Sequence, residues 1–383
     1  MGKFQHLDAL LTDFTKTNLA GCACAVARNG EILYEGYHGF ASLNKEIPVS
    51  SDTLFRLFSM TKVVVCTAAL MLFERGRFLL NEPLHEYIPE YKDMQVVKIK
   101  PNGDTQIEGA RNPILIKDAF CMTTGIPYPF GESESARQLR DLHQRLKDEH
   151  GKYSLLTEVK AVAQVPLAFE PGTQWLYGYS HDLVGALIEV ISGKPLGQFL
   201  QEELFEPLEM TSTGYRFHGD LEARMAACYT RTDSGNLEEI PGPLDEHHQA
   251  DSLYEGGGVG LYSTVRDYLA FTQMLANGGT WKGEQIIGRK TIDLMRTNHL
   301  NETQLADFKN DGYGYGLGVR TMMDPAAGHS NSSLGEFGWT GAAGTWASVD
   351  PSEGFSVVYM HQLFPNMEEY HHPRVRAAAY GCL

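Results

Sequence analysis

FRLFSMTKVVVCTAAL, residues 55–70, sets a serine and a lysine three positions apart at the mouth of an apolar run. Val63 to Phe73 (VVVCTAALMLF) is apolar nearly all round and is closed by Gly76, which predicts a helix buried on every side. Three residues is almost one helical turn, so Ser59 and Lys62 share a face. Free backbone N–H groups and the helix dipole at such a start favour negative charge beside the Ser59 oxygen. Apolar neighbours are expected to lower the Lys62 pKa and make it a base. Alone the pattern is weak, since a chain of this size should hold roughly one or two by chance. The other copy here, Ser42-Leu43-Asn44-Lys45, runs into Glu46 and Pro48 with no helix to hold it. The ordinary alternative for Ser59 and Lys62 is a surface serine and a lysine reaching past the helix start to solvent.

Outward from this helix, the two chain ends read as β-structure. Cys22 to Arg28 and Glu31 to Gly36 flank Asn29-Gly30, a hairpin signal because both turn positions need φ > 0. Gly344 to Asp350 and Phe355 to Gln362 are β-rich and joined by Pro351-Ser352-Glu353-Gly354, and a final helix is expected from near Pro373 through Val375, Ala378 and Ala379. The opening MGKFQHLDALLTDF places Phe4, Leu7, Leu10, Leu11 and Phe14 at helical spacing. Asp182 to Ile191 and Ile286 to Met295 carry helical periods, between loops at 98–112 and 231–258. The expected fold is α+β: an antiparallel sheet from residues 1–58 and 250–383, a mostly helical region from 59–249, and an active site between them.

With 383 residues, 43% hydrophobic and 21% charged, the chain has an ordinary globular composition. Its 48 acidic and 32 basic residues leave −16, which disfavours nucleic acid and anionic membranes as partners. No run of 18 apolar residues is present and the N-terminal segment lacks a signal peptide's apolar region, so no membrane association is expected. Six scattered cysteines, Cys22 and Cys24 in a strand-like run and Cys66 in the apolar helix, suggest reduced packing thiols and a cytoplasmic protein.

Several ordered segments together resemble one family. FRLFSMTKVVVCTAAL is similar to the nucleophile motif of the serine β-lactamases, penicillin-binding proteins and related esterases. Ile116 to Gly125 (IKDAFCMTTG) resembles a structural turn of that superfamily. Phe169 to Tyr177 (FEPGTQWLY), followed by Gly185 and Ser192-Gly193, resembles the segment bearing its catalytic tyrosine, and Gly338 to Thr345 (GWTGAAGT) resembles the strand bearing its third motif. The resemblance spans Cys22 to Gln362 and implies a β-lactamase/transpeptidase-like fold. It implies that Ser59 is the nucleophile, that Lys62 and Tyr177 move protons, and that the backbone N–H groups of Ser59 and Ala342 form the oxyanion hole. It implies no cofactor and no metal. Tyr179, Trp339, Thr340 and Gly341 fall at substrate-binding positions.

Two departures narrow the expected function. Lysine is usual where Trp339 stands, and asparagine where Tyr179 stands; both help β-lactamases hold the β-lactam and its carboxylate. An aromatic wall in place of a cation suits an uncharged acyl or alcohol group. Tryptophan in the third motif resembles the family VIII carboxylesterases. The expectation is therefore a serine carboxylesterase acting on short neutral esters through an acyl-enzyme. An amide hydrolase (β-lactamase, D-aminopeptidase or D-amino-acid amidase), an acyltransferase and a non-catalytic acyl sensor stand as alternatives. Gly328-His329-Ser330-Asn331-Ser332 is one residue short of a nucleophile elbow. His247-His248 and His371-His372 point apart within each pair and read as surface residues rather than metal ligands. Glu255-Gly256-Gly257-Gly258-Val259-Gly260 lacks the strand–helix context of a nucleotide loop and reads as backbone approaching the site rim.

Overall fold

The computed structural model describes residues 2–100 and 102–383. Met1, in the expected N-terminal helix, and Pro101, in the 98–112 loop, lie outside the described residues. Eight strands form one antiparallel sheet in the order Tyr313–Tyr315, Arg320–Met322, Phe337–Thr340, Trp346–Asp350, Phe355–Met360, Gly21–Arg28, Glu31–Ser42, Ile47–Pro48. The two ends of the chain meet at its centre, where Ala25 lies opposite Val358. Asn29 (φ 52°) and Gly30 (φ 82°) make the hairpin turn that their identities predict.

Alternation along the central strands builds two apolar layers. Ala23, Ala25, Ala27, Ala347 and Val358 face the large core shared with the helical region. Cys22, Cys24, Val26, Trp346, Val357 and Tyr359 face a second cluster with Leu7, Leu11 and Phe14 of Gln5–Thr17 and with Val375 and Ala379 of Glu368–Tyr380. The alanine face lets the Val265–Ala276 helix lie close: Gln273 Nε2 donates to Ala27 O at 3.1 Å and to Ser356 Oγ at 2.8 Å. All six cysteines are free and buried, and burial pushes the Cys22 thiol up to about 12. No single described helix is long and apolar enough to cross a membrane.

Three expectations need correction. The last helix begins at Glu368 rather than at Pro373, which lies inside it; Asn366 Oδ1 accepts from Glu368 N at 3.1 Å, and two first-turn acids suit that helix start. Residues 98–112 and 231–258 are not plain loops. Gln95–Ile99 pairs with Thr105–Gly109, and Leu237–Ile240 and a turn of helix at Asp245–His248 punctuate the second stretch. His248, His371 and His372 are buried rather than at the surface. The local pair pattern carried no information about the sheet and helices that close over them.

His371 packs its ring edge on Phe14, with centroids 4.6 Å apart, and stands 5.0 Å from the buried His361. Burial holds His371 down at about 4 and His372 at about 3, so both stay neutral in the folded chain while the unfolded chain takes up protons below its ordinary value. Both therefore withdraw stability as pH falls from about 6.5 toward their folded values, each by about 2 kcal/mol at pH 5. Neither nitrogen of His371 has a hydrogen-bond partner among the described residues. His371→Phe is accordingly expected to remove about 2 kcal/mol of the loss between pH 7 and pH 5, read from urea midpoints. Equal losses in the two proteins would contradict this.

Candidate active site

The turn that carries Ser59 is held on three sides. Phe55–Arg56 pairs with Tyr262–Ser263, and Leu57 N donates to Leu261 O at 2.9 Å. Phe58 then takes a left-handed φ of 47°, a cost of order 1 kcal/mol for a non-glycine residue that the surrounding contacts must hold. Its ring meets Phe364 edge-on at 5.6 Å, and Tyr268 donates to Met60 O at 3.0 Å. Phe58–Met60 forms a tight turn that leads into the Thr61–Glu74 helix. Ser59 is thereby set at the start of a helix whose Lys62 faces the same way.

Lys62 is fully buried, and its Nζ donates to Ser59 Oγ at 3.1 Å, Tyr128 OH at 2.9 Å and Gly258 O at 2.7 Å. Those three acceptors use every donor an ammonium has. The charge state expected from sequence is reversed. Burial alone lowers the Lys62 pKa, but Tyr128 and Tyr177, with the hydrogen bond to Tyr128 and the carboxylate of Asp182, outweigh it and hold the group above an ordinary lysine.

Tyr177 OH lies 2.6 Å from Ser59 Oγ, and Lys62 Nζ stands 4.9 Å from its ring centroid. The segment carrying Tyr177 is zipped to the one carrying Tyr128: Leu176 N donates to Met122 O at 2.9 Å and Tyr179 N to Ile126 O at 3.1 Å. A Cβ on Gly178 would fall 2.2 Å from Ile126 O, so glycine is needed for that approach. Trp339 stacks on Tyr177 at 5.7 Å and its Nε1 donates to Tyr177 OH at 3.3 Å. Trp175 and Tyr128 flank the same ring at 6.2 and 5.6 Å, and Phe130, largely exposed, continues the aromatic run 6.0 Å beyond Tyr128.

The strand Phe337–Thr340 brings Trp339 and Thr340 to this site and ends in a turn against the segment that carries Ser59. Gly341 N donates to Thr345 O at 2.7 Å, Thr345 Oγ1 donates to Leu57 O at 3.0 Å, and a Cβ on Gly341 would stand 2.3 Å from Leu57 O. Ala342 is exposed on that turn, and its N–H has no acceptor among the described residues. Ser59, Lys62, Tyr177, Trp339, Thr340, Gly341 and Ala342 thus belong to one neighbourhood, but Tyr179 does not share it. Its ring is buried, 6.2 Å from His143, because the residue caps the Ser180–Ser192 helix and turns into the helical core.

The family model described as Beta-lactamase matches residues 7–380. The chain belongs to the beta-lactamase family. It is 32% identical over 359 residues to Protein Rv1367c of Mycobacterium tuberculosis, covering 91% of this chain and 87% of that one. It is 28% identical over 375 residues to Esterase EstB of Burkholderia gladioli, covering 93% and 89%. Among solved structures it matches EstCE1, described as a hydrolase with promiscuous acyltransferase activity, at a TM-score of 0.83 and 23% identity over 99% and 98% of the two chains. The beta-lactamase/transpeptidase-like fold, an antiparallel sheet with helices packed on it, agrees with these likenesses.

Sequence reasoning missed two Lys62 acceptors within this beta-lactamase-family site. Tyr128 comes three residues after the Ile116–Gly125 segment, and a tyrosine so close to a family turn was the available signal. Gly258 lies in the glycine-rich run read as backbone approaching the rim, and its carbonyl reaches Lys62.

Proposed function

We propose that this beta-lactamase-family chain is a carboxylesterase acting on short, neutral esters through a Ser59 acyl-enzyme. The observation that carries the reading is the contact of Ser59 Oγ with both Lys62 Nζ and Tyr177 OH beneath an aromatic wall. In the reacting form Lys62 is an ammonium and Tyr177 its phenolate counter-ion, accepting from Ser59 and from Trp339 Nε1. Ser59 Oγ bonds to the ester carbon as its proton passes to Tyr177, and the backbone N–H groups of Ser59 and Ala342 hold the oxyanion. Collapse breaks the bond to the alcohol oxygen, which leaves with the Tyr177 proton. Water then adds to the acyl carbon and gives a proton to Tyr177. The bond to Ser59 breaks and that proton returns to Ser59 Oγ.

Apart from Ser59 and the enclosed Lys62, whose three donors are already taken, the groups against Tyr177 and Trp339 are aromatic, which favours an apolar acyl or alcohol group over a carboxylate. The name of the relative EstB supports an esterase. Acyl transfer to an alcohol uses the same acyl-enzyme with a different nucleophile. The test is a panel of nitrophenyl butyrate, with and without added butanol, a chromogenic cephalosporin and a D-amino-acid anilide, against wild type and Ser59→Ala. The butyrate is expected to give the highest kcat/KM, with all turnover lost in Ser59→Ala. Preference for the cephalosporin or anilide would replace the reading with an amide hydrolase, and butyl ester as the main product with a transferase. Absence of any Ser59-dependent turnover would leave an acyl-binding scaffold.

Trp339 donates to Tyr177 as well as lining the wall, so a lysine substitution would mix two effects. Trp339→Phe keeps the ring and removes the donor. The expected outcome is a kcat lowered about 10- to 100-fold with KM little changed, the scale of one hydrogen bond to a charged acceptor. A change confined to KM would assign Trp339 to substrate contact alone.

A further inference from the structure

Asp182 lies in the first turn of the Ser180–Ser192 helix, is 2% exposed, and takes no part in the chemistry above. Its Oδ1 accepts from Gly258 N at 3.2 Å and from Tyr254 OH at 3.2 Å. The carbonyl of the same Gly258 accepts from Lys62 Nζ at 2.7 Å. One residue therefore joins a buried carboxylate to a buried ammonium, with its N–H on one and its C=O on the other. The wedge is tight: a Cβ on Gly258 would stand 2.8 Å from Asp182 Oδ2, 3.3 Å from Tyr128 OH and 3.4 Å from Lys62 Nζ.

We propose that Asp182 is the positioning residue of this site: acting through Gly258, it aims the carbonyl at Lys62 and adds a second buried negative charge, beside the Tyr177 phenolate, that helps keep Lys62 an ammonium. The inference rests on the Ser59 acyl-enzyme reading and adds the group that sets its charge state. Without the Asp182 carboxylate only the Tyr177 phenolate would hold the ammonium in so closed a space, and the proton could pass between them to leave a neutral amine and phenol. Gly258 also has to be glycine for the two charges to approach this closely.

The groups facing Asp182 decide how the site titrates. Lys62 and Tyr128 face it from the catalytic side. From the Leu155–Val162 helix comes Glu158, buried and bridged to His143 Nε2 at 2.7 Å; Tyr254, Tyr179, Tyr91 and Tyr215 are the remaining neighbours, phenols held neutral by burial. Burial first, then the like charge of Glu158, pushes Asp182 up to about 6 against the pull of Lys62. Protonation of Asp182 in the acid range removes this second charge, so the rate is expected to fall as pH drops through about 6.

Two variants test this through the pH dependence of kcat/KM for nitrophenyl butyrate. Asp182→Asn keeps an acceptor for Gly258 N and Tyr254 OH but removes the charge. It is expected to lower the plateau about 10-fold or more and to bring a decline into the range of about pH 8 to 10, where wild type holds its rate. Glu158→Gln removes the like charge, so the acid decline is expected to move to lower pH with the plateau kept. This arm decides the matter if Asp182→Asn does not fold. Profiles unchanged in shape, on a wild-type rate that depends on Ser59, would overturn this inference alone. A wild type with no Ser59-dependent rate would overturn both it and the esterase reading.

Discussion

Tyr177→Phe is expected to reduce kcat/KM for a neutral nitrophenyl ester by about 10²–10⁴-fold, the range for losing a general acid–base group, while Tyr179→Phe changes it less than about 3-fold. The two tyrosines are two residues apart, yet their surroundings are unlike. Tyr177 OH is 2.6 Å from Ser59 Oγ and within hydrogen-bond reach of Trp339 Nε1. The Tyr179 hydroxyl is buried with no partner among the described residues, so its removal breaks no hydrogen bond. Phenylalanine at 177 keeps the stacking with Trp175 and Trp339, so the loss is one of chemistry and not of fold. Comparable losses at the two positions would contradict the proton-transfer role of Tyr177.

Lys62→Met is expected to cost at least about 10³-fold in kcat, because it removes the charge that the proposed mechanism sets against Tyr177 and the donor to Ser59 Oγ. Lys62→Arg should do no better. A planar guanidinium cannot place three donors on Ser59, Tyr128 and Gly258 from the point where Nζ sits. The sign of the pH effect separates two mechanisms. Lys62 is held above the ordinary lysine value, so the wild-type rate is expected to show no rise attributable to lysine deprotonation below about pH 10. A rate that climbs through an apparent pKa near 8 would instead make neutral Lys62 the base.

Much of the fold was legible because its signals are local. The alternation of Cys22–Arg28, the Asn29-Gly30 turn and the apolar run after Lys62 each follow from neighbours in the chain, and each is found in place. The helix start that joins Ser59 to Lys62 is local too. What stayed hidden depends on distant segments converging. Tyr128 is 66 residues from Lys62 and Gly258 is 196, and no spacing rule links them. The charge of Lys62 is hidden for the same reason. Its apolar helix neighbours are visible in sequence, whereas the acceptors and the carboxylate that outweigh them come from three other segments. Tyr179 is turned away from the site because the chain there takes the cap position of a helix and sends the ring inward, which its place two residues after Tyr177 does not reveal.

The most direct measurement of the central claim is covalent labelling of the native protein with a fluorophosphonate, followed by peptide mass spectrometry. A single adduct on Ser59 is the expected result, lost in Ser59→Ala and slowed in Lys62→Met and Tyr177→Phe. An adduct on Ser42, Ser180 or Ser330, with Ser59 unmodified, would contradict the account.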